Sequence, residues 1–188
     1  MMRISYNHLL EHVKVYKEKN DMKHFLQKTA LTRHYESRVP IKAPQEEIFA
    51  YVDDHAQLGS HMSESSWMMG GGRMDIAIDK GRGQRVGSHI GLSGKAFGIT
   101  LFLDEVVTRR EPPRLKVWET VGNLRLLVIG HYRMGIEVGP QDSNSLLRVY
   151  IDYDLPLTNA WLGRLFSGSY AKWCVRQMIK DTSDHFAK

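Results

Sequence analysis

The chain has 188 residues, 42% of them hydrophobic and 25% charged, fractions that exclude a disordered or fibrous protein and suit one globular domain with a sizeable core. Its 26 lysines and arginines against 21 acids leave a formal net charge of +5, a mildly basic balance that favours anionic partners without identifying one. The single cysteine, Cys174, excludes an internal disulfide framework and any multi-cysteine zinc site.

Residues 3–28 form a basic segment, with Arg3, Lys14, Lys17, Lys19, Lys23 and Lys28 against Glu11, Glu18 and Asp21. Leu9, Val13 and Tyr16 recur at helical spacing, and Met22, Phe25 and Leu26 make a second apolar cluster. The pattern predicts one helix over 6–19 and another over 21–29, an amino-terminal helical extension (1–30) ahead of the main domain (31–188).

From Leu31 the period becomes alternating. Tyr35, Ser37, Val39 and Ile41 share one strand face, and Pro44 followed by Glu46 and Glu47 opens a helix with Ile48, Phe49 and Val52 inward. A short helix is expected over 55–62. Strands follow at Met74–Ile78, Val86–Leu92, Phe97–Leu103 and Leu115–Glu119, with turns at Lys80-Gly-Arg-Gly and Glu111-Pro-Pro-Arg. The clearest alternation runs over 124–138, where Leu124, Leu126, Val128, Tyr132, Met134, Ile136 and Val138 all fall on even positions. A last strand carries Leu147, Val149, Ile151, Tyr153 and Leu155, and 157–186 reads as a long helix. Alternation in consecutive strands joined by short loops means an antiparallel sheet with one wet face, and the terminal helix is the element long enough to cover the other.

The segments Val39-Pro-Ile-Lys-Ala-Pro-Gln-Glu-Glu-Ile-Phe-Ala-Tyr-Val-Asp-Asp and Arg110-Glu-Pro-Pro-Arg-Leu-Lys-Val-Trp-Glu, with the terminal helix, resemble the START-like superfamily in its polyketide cyclase/dehydrase (SRPBCC) branch. The resemblance spans residues 31–187 and implies an α+β helix-grip fold: a curved antiparallel sheet of six to seven strands wrapped around a long carboxy-terminal helix. It further implies a deep apolar cavity that holds a lipid, sterol, polyketide or quinone. The chain departs from the family pattern in its extra amino-terminal residues and in Ser60-His61, where many relatives place a tryptophan.

On this reading the cavity lining takes Ser88, Ile99, Leu101, Val117, Tyr132 and Tyr153 from the strands and Leu162, Phe166 and Trp173 from the helix. By strand parity its polar members are Ser88, Glu105, Glu119, Tyr132 and Tyr153. A carboxylate in an apolar cavity has a raised pKa and can act as a general acid or base. Glu119, whose neighbours Leu115 and Val117 set the parity, is the first candidate, with Tyr132 as its partner. Residues 61–73 hold Gly70, Gly71 and Gly72 beside Met62, Trp67, Met68 and Met69, a composition suited to a lid at the cavity mouth.

Other signals fail. Gly81-Arg-Gly-Gln-Arg-Val-Gly misses the dinucleotide fingerprint by one residue and sits in a hairpin, and Gly91-Leu-Ser-Gly-Lys lacks the last glycine of a nucleophile elbow. His8, Glu11 and His12 do not make a metalloprotease motif, so no metal or cofactor is expected. No basic stripe interleaves with aromatics on the strands, which argues against nucleic acid. The basic amino-terminal helices would suit a peripheral contact with an anionic membrane. No apolar run approaches the ~20 residues of a membrane helix, and the first residues lack the apolar stretch of a secretory signal, so the cytoplasm is expected.

The leading expectation is a carrier that sequesters a hydrophobic small molecule. A second reading is a polyketide-type cyclase or dehydratase using Glu119 and Tyr132, and a third is a partner-binding chaperone or toxin-like module.

Overall fold

A computed structural model describes residues 31–58 and 73–187. Seven strands and three helices follow in the order β1 (Arg33–Ile41), α1 (Gln45–Asp53), α2 (His55–Leu58), β2 (Arg73–Ile78), β3 (His89–Ala96), β4 (Ile99–Glu111), β5 (Leu115–Arg125), β6 (Tyr132–Gln141), β7 (Asn144–Tyr153) and α3 (Ala160–Phe186). The strands form one antiparallel sheet in the order β1-β7-β6-β5-β4-β3-β2. Hairpins build it from β2 to β7, and β1 closes the far edge against β7, with Tyr35 opposite Ile151. This is the helix-grip fold expected from the sequence. The helices expected over 6–29, and all of the lid expected over 61–73 except Arg73, lie outside the described residues.

Alternation decides which face of each strand is buried. On β7, Ser145, Leu147, Val149, Ile151 and Tyr153 are buried and their neighbours half-exposed. Two register shifts interrupt the pairing of β4 with β5, between Phe102 and Asp104 and between Val107 and Arg109; irregularities of this kind bend a strand and raise its twist. The covering element is α3, which lies against β1 and β7 and touches α1 and α2. Its buried stripe is Gly163, Ser167, Ala171, Cys174, Val175, Met178 and Thr182. Small residues at its start allow close approach: a Cβ on Gly163 would come 2.5 Å from Cδ of Pro156.

The structure corrects three details. The even-position run over 124–138 is not one strand, because β5 ends at Arg125 and β6 begins at Tyr132. The connection between them happens to preserve parity. Phe97, expected within a strand, instead forms with Gly98 the two-residue turn between β3 and β4, both residues having positive φ. The long helix begins at Ala160, after Asn159 in the left-handed region, rather than at 157.

A buried ionic cluster fixes the end of α1 to the sheet. The Asp53 carboxylate accepts hydrogen bonds from Arg110 at 2.7 to 3.2 Å and lies 3.3 Å from Nζ of Lys116. Lys116 also donates to the Asp53 carbonyl at 2.6 Å. Burial pulls the Lys116 pKa down, and the Asp53 carboxylate opposes that pull. Nearby, the Gln45 amide donates to the Val138 carbonyl at 2.8 Å. The two sequence segments that carried the family resemblance are thus bound to each other, one supplying Asp53 and the other Arg110 and Lys116.

Candidate functional site

Between α3 and the concave side of the sheet lies a narrow cavity. Its walls are apolar: Ile76 of β2, Leu92 of β3, Leu103 of β4, Trp118 of β5, Met134 of β6 and Ile151 of β7 face Met178 of α3. Leu58 closes one side, and Leu126 and Ile129 in the β5–β6 connection close another. The free volume for a water-sized sphere is about 50 Å³, enough for a few waters, each needing roughly 10–15 Å³ on that measure.

One polar line crosses this apolar wall. Glu105 is buried on β4, at the same parity as Leu101, Leu103 and Val107. The Tyr132 hydroxyl, from the start of β6, donates to Oε1 of Glu105. On the other side Nε2 of His55, at the first position of α2, lies 3.4 Å from Oε2 of Glu105. The His55 ring stands edge-on to Trp118, with centroids 4.9 Å apart and planes at 81°. Nδ1 of His55 is buried without a hydrogen-bond partner, an uncommon condition for a buried polar atom. Burial, reinforced by the Glu105 charge, holds the Tyr132 hydroxyl well above its ordinary pKa, so it stays a proton donor.

On α3, burial likewise raises Tyr170 well above its ordinary value. The neighbouring Cys174 thiol is pushed up to about 12, again chiefly by burial. A thiol so strongly protonated at neutral pH is a packing group and not a nucleophile. Among the described residues no cluster of three metal-ligating side chains occurs.

The sequence-predicted residues divide sharply. Tyr132 lines the cavity, as expected. Tyr153 is buried in the core cluster, with its hydroxyl 3.9 Å from where a Cβ on Gly168 would stand. Leu101 is buried on the inward parity of β4, and Ile99 is half-buried at its start.

Glu119 and Val117 are on the wrong side. Trp118 faces inward opposite Met134, so its neighbours point outward: Val117 lies opposite Gly135 and Glu119 opposite Arg133. Glu119 accepts a hydrogen bond from Nε of Arg133 at 3.2 Å, and that cross-strand ion pair holds it on the outer face. Ser88 sits in the turn before β3, where its hydroxyl donates to Asp79 and accepts from the Gly83 N–H at 2.9 Å. It fastens a turn and does not line the cavity. Phe166 is exposed, Leu162 is half-buried, and Trp173 is half-buried against the core cluster; none of the three is among the residues that line the cavity. Trp67, Met68 and Met69 lie outside the described residues.

Of the other two polar groups of the line, one was legible in the sequence and one was not. Glu105 shares its parity with three strongly apolar neighbours, which is sufficient to place it inside. His55 stands in a four-residue helix with no periodicity to orient it.

Comparison with known proteins agrees with this architecture. The family described as Polyketide cyclase / dehydrase and lipid transport matches residues 32–188. Among solved structures, a truncated norcoclaurine synthase from Thalictrum flavum is similar over 80% of this chain and 91% of its own, at 14% identity and a TM-score of 0.57. A protein from Thermus thermophilus is similar over 82% of this chain and 97% of its own, at 12% identity and a TM-score of 0.60. The major latex-like protein 151 of Panax ginseng is similar over 85% of this chain and all of its own, at 14% identity and a TM-score of 0.52. At such identities these likenesses concern the fold alone, and none of the curated proteins compared matches in sequence. The match over 32–188, on a seven-stranded antiparallel sheet gripping one long helix, shows that the chain belongs to the polyketide cyclase / dehydrase and lipid transport family.

Proposed function

We propose that the protein binds a small, mostly apolar molecule bearing one hydrogen-bonding group in the cavity beneath α3. The observation that carries this reading is the polar line Tyr132–Glu105–His55 in a mainly apolar enclosure whose other polar lining side chains are Tyr170 and Cys174. Apolar walls supply affinity at about 0.8 kcal/mol per buried methylene, and the few polar groups supply orientation. Nε2 of His55 is turned toward Glu105, so its unpartnered Nδ1 is the ring atom left to hydrogen-bond a ligand hydroxyl or amine. The lone cysteine, held as a free buried thiol, supports a reducing, cytoplasmic setting for this carrier. Among the described residues no helix is long and apolar enough to cross a membrane.

The test is mass spectrometry of small molecules extracted from natively purified protein, paired with fluorescence titration of a lipophilic probe. A defined co-purified compound is expected. Glu105→Gln and Tyr132→Phe should weaken probe binding about tenfold, the cost of one unmatched buried polar group. An empty protein that takes up no lipophilic probe overturns the proposal.

A second reading is acid/base catalysis of the cyclase or dehydratase type, favoured by one carboxylate touching both a tyrosine hydroxyl and an imidazole. It moves the acid/base role from Glu119 to Glu105. It requires that Glu105→Gln abolish turnover of the identified ligand while Glu119→Gln leaves turnover unchanged.

A further inference from the structure

The outward side of α3 opposes its buried stripe and is divided along its length. At roughly 100° per residue, Trp161, Leu165 and Phe166 fall on the side away from Ser167, Ala171 and Met178, which face the core. They are 62%, 66% and 51% exposed, and Leu157, just before the helix, is 96% exposed. Single exposed apolar residues are ordinary, but four large ones within ten positions form a patch.

Charge on the same segment is one-sided. Residues 155–180 contain Arg164, Lys172, Arg176 and Lys180 and no aspartate or glutamate. Lys172 and Arg176 share the outward face with Trp161 and Leu165, about two and three turns beyond Leu165, and both are exposed.

We infer that this face of α3 docks on an anionic phospholipid bilayer. Leu157, Trp161, Leu165 and Phe166 enter the boundary between headgroups and acyl chains, while Lys172 and Arg176 meet the lipid phosphates. A ring whose body is apolar and whose edge is polar suits that boundary, and an exposed helix face with aromatic and aliphatic residues beside basic ones is the arrangement interfacial helices use. The acids of α3, Asp181 and Asp184, stand beyond this segment at the far end of the helix, where Asp184 is paired with Lys180. The inference stands independently of what the cavity holds.

The full-length chain is tested by co-sedimentation with phosphatidylcholine vesicles containing about 30% phosphatidylglycerol and with pure phosphatidylcholine vesicles. Binding is expected to the anionic vesicles and to be at least about tenfold weaker on neutral ones or in high salt. Trp161→Ser/Leu165→Ser/Phe166→Ser should lower the partition coefficient about tenfold or more with the thermal midpoint unchanged. Lys172→Glu/Arg176→Glu should abolish the preference for anionic lipid. Should the triple variant fail to fold, the single Leu165→Ser variant takes its place, and brominated lipid should quench wild-type tryptophan fluorescence more than that of Trp161→Phe.

Absence of wild-type binding to anionic vesicles overturns the inference. So does undiminished binding by the folded patch variants, which would place the contact elsewhere, as on residues 1–30. A wild-type dimer dissolved by the patch variant, without vesicle binding, would assign this face to a second copy and overturn it equally.

Discussion

Asp53 joins α1 to the sheet through two cations, one of which, Lys116, is fully buried. Removing the carboxylate leaves the lysine uncompensated in the interior, the costly way to break a buried ion pair. Asp53→Ala should therefore destabilise the fold by about 3–5 kcal/mol, and adding Lys116→Met should recover much of that loss. Urea unfolding of the two variants checks both statements; a double variant no better than the single would show that Lys116 was not stranded.

On the outer face, the Arg148 guanidinium holds the Glu36 carboxyl down at about 2, from an ordinary 4.5. Folding thus favours the charged form, so Glu36 contributes stability that is fully present above pH 4.5 and is lost as pH falls toward 2. The stability gap between wild type and Glu36→Gln should be constant near neutrality and close between pH 4.5 and 2. Denaturant midpoints across that range would refute the assignment if the gap stayed level.

The hairpin joining β3 to β4 asks more of its residues than its sequence suits. Ala96 pairs with Ile99, so only Phe97 and Gly98 turn the chain, at φ 50° and 74°. Two-residue turns with both φ values positive prefer Asn-Gly, and a bulky residue in the left-handed region carries a penalty. Phe97 is 70% exposed and gains little from burial in return. Phe97→Asn should raise stability by about 1 kcal/mol, read as a higher thermal midpoint. A lower midpoint would mean the phenyl ring makes a contact worth more than the strain.

Strand β5 shows why the sequence led to the fold but only partly to the site. Alternation identifies a strand, and that suffices for the sheet, but choosing the inward face requires that the apolar parity be the inner one. On β5 both parities are buried as far as Trp118: Leu115 and Val117 on the outer face, Lys116 and Trp118 on the inner. Lys116 looks like a solvent residue until Asp53 is seen beneath it, and its charge is what tips the parity toward Glu119. On β4 no such conflict exists, because Leu101, Leu103 and Val107 agree and Glu105 follows them. Tyr132 falls inside by continuing an alternation across a connection that is not a strand, and its position there owes as much to the length of that connection as to the pattern. His55 depends on the packing of α2 against Trp118, a long-range contact that local periodicity does not encode.

The residues that enclose the cavity are also the hydrophobic core, so binding and folding draw on one set of contacts. Leu103 belongs to both, buried within the core cluster and lining the cavity wall. Leu103→Ala removes packing and enlarges the space, at a cost of about 2–5 kcal/mol, a substantial part of the roughly 5–15 kcal/mol that holds a domain folded. An occupant that binds only the folded state offsets part of that cost, by about 2.7 kcal/mol at a concentration one hundred times its Kd. Leu103→Ala should therefore lower the thermal midpoint of the free protein. A small aromatic alcohol such as 2-naphthol, with apolar rings for the walls and one hydroxyl for His55 or Glu105, should raise the variant's midpoint more than the wild type's. Combining Leu103→Ala with Glu105→Leu separates the two contributions: the rings still gain from the larger space while the hydroxyl loses one of its two polar partners, so the upward shift should shrink without vanishing. An equal shift in wild type and both variants would place the alcohol outside this cavity.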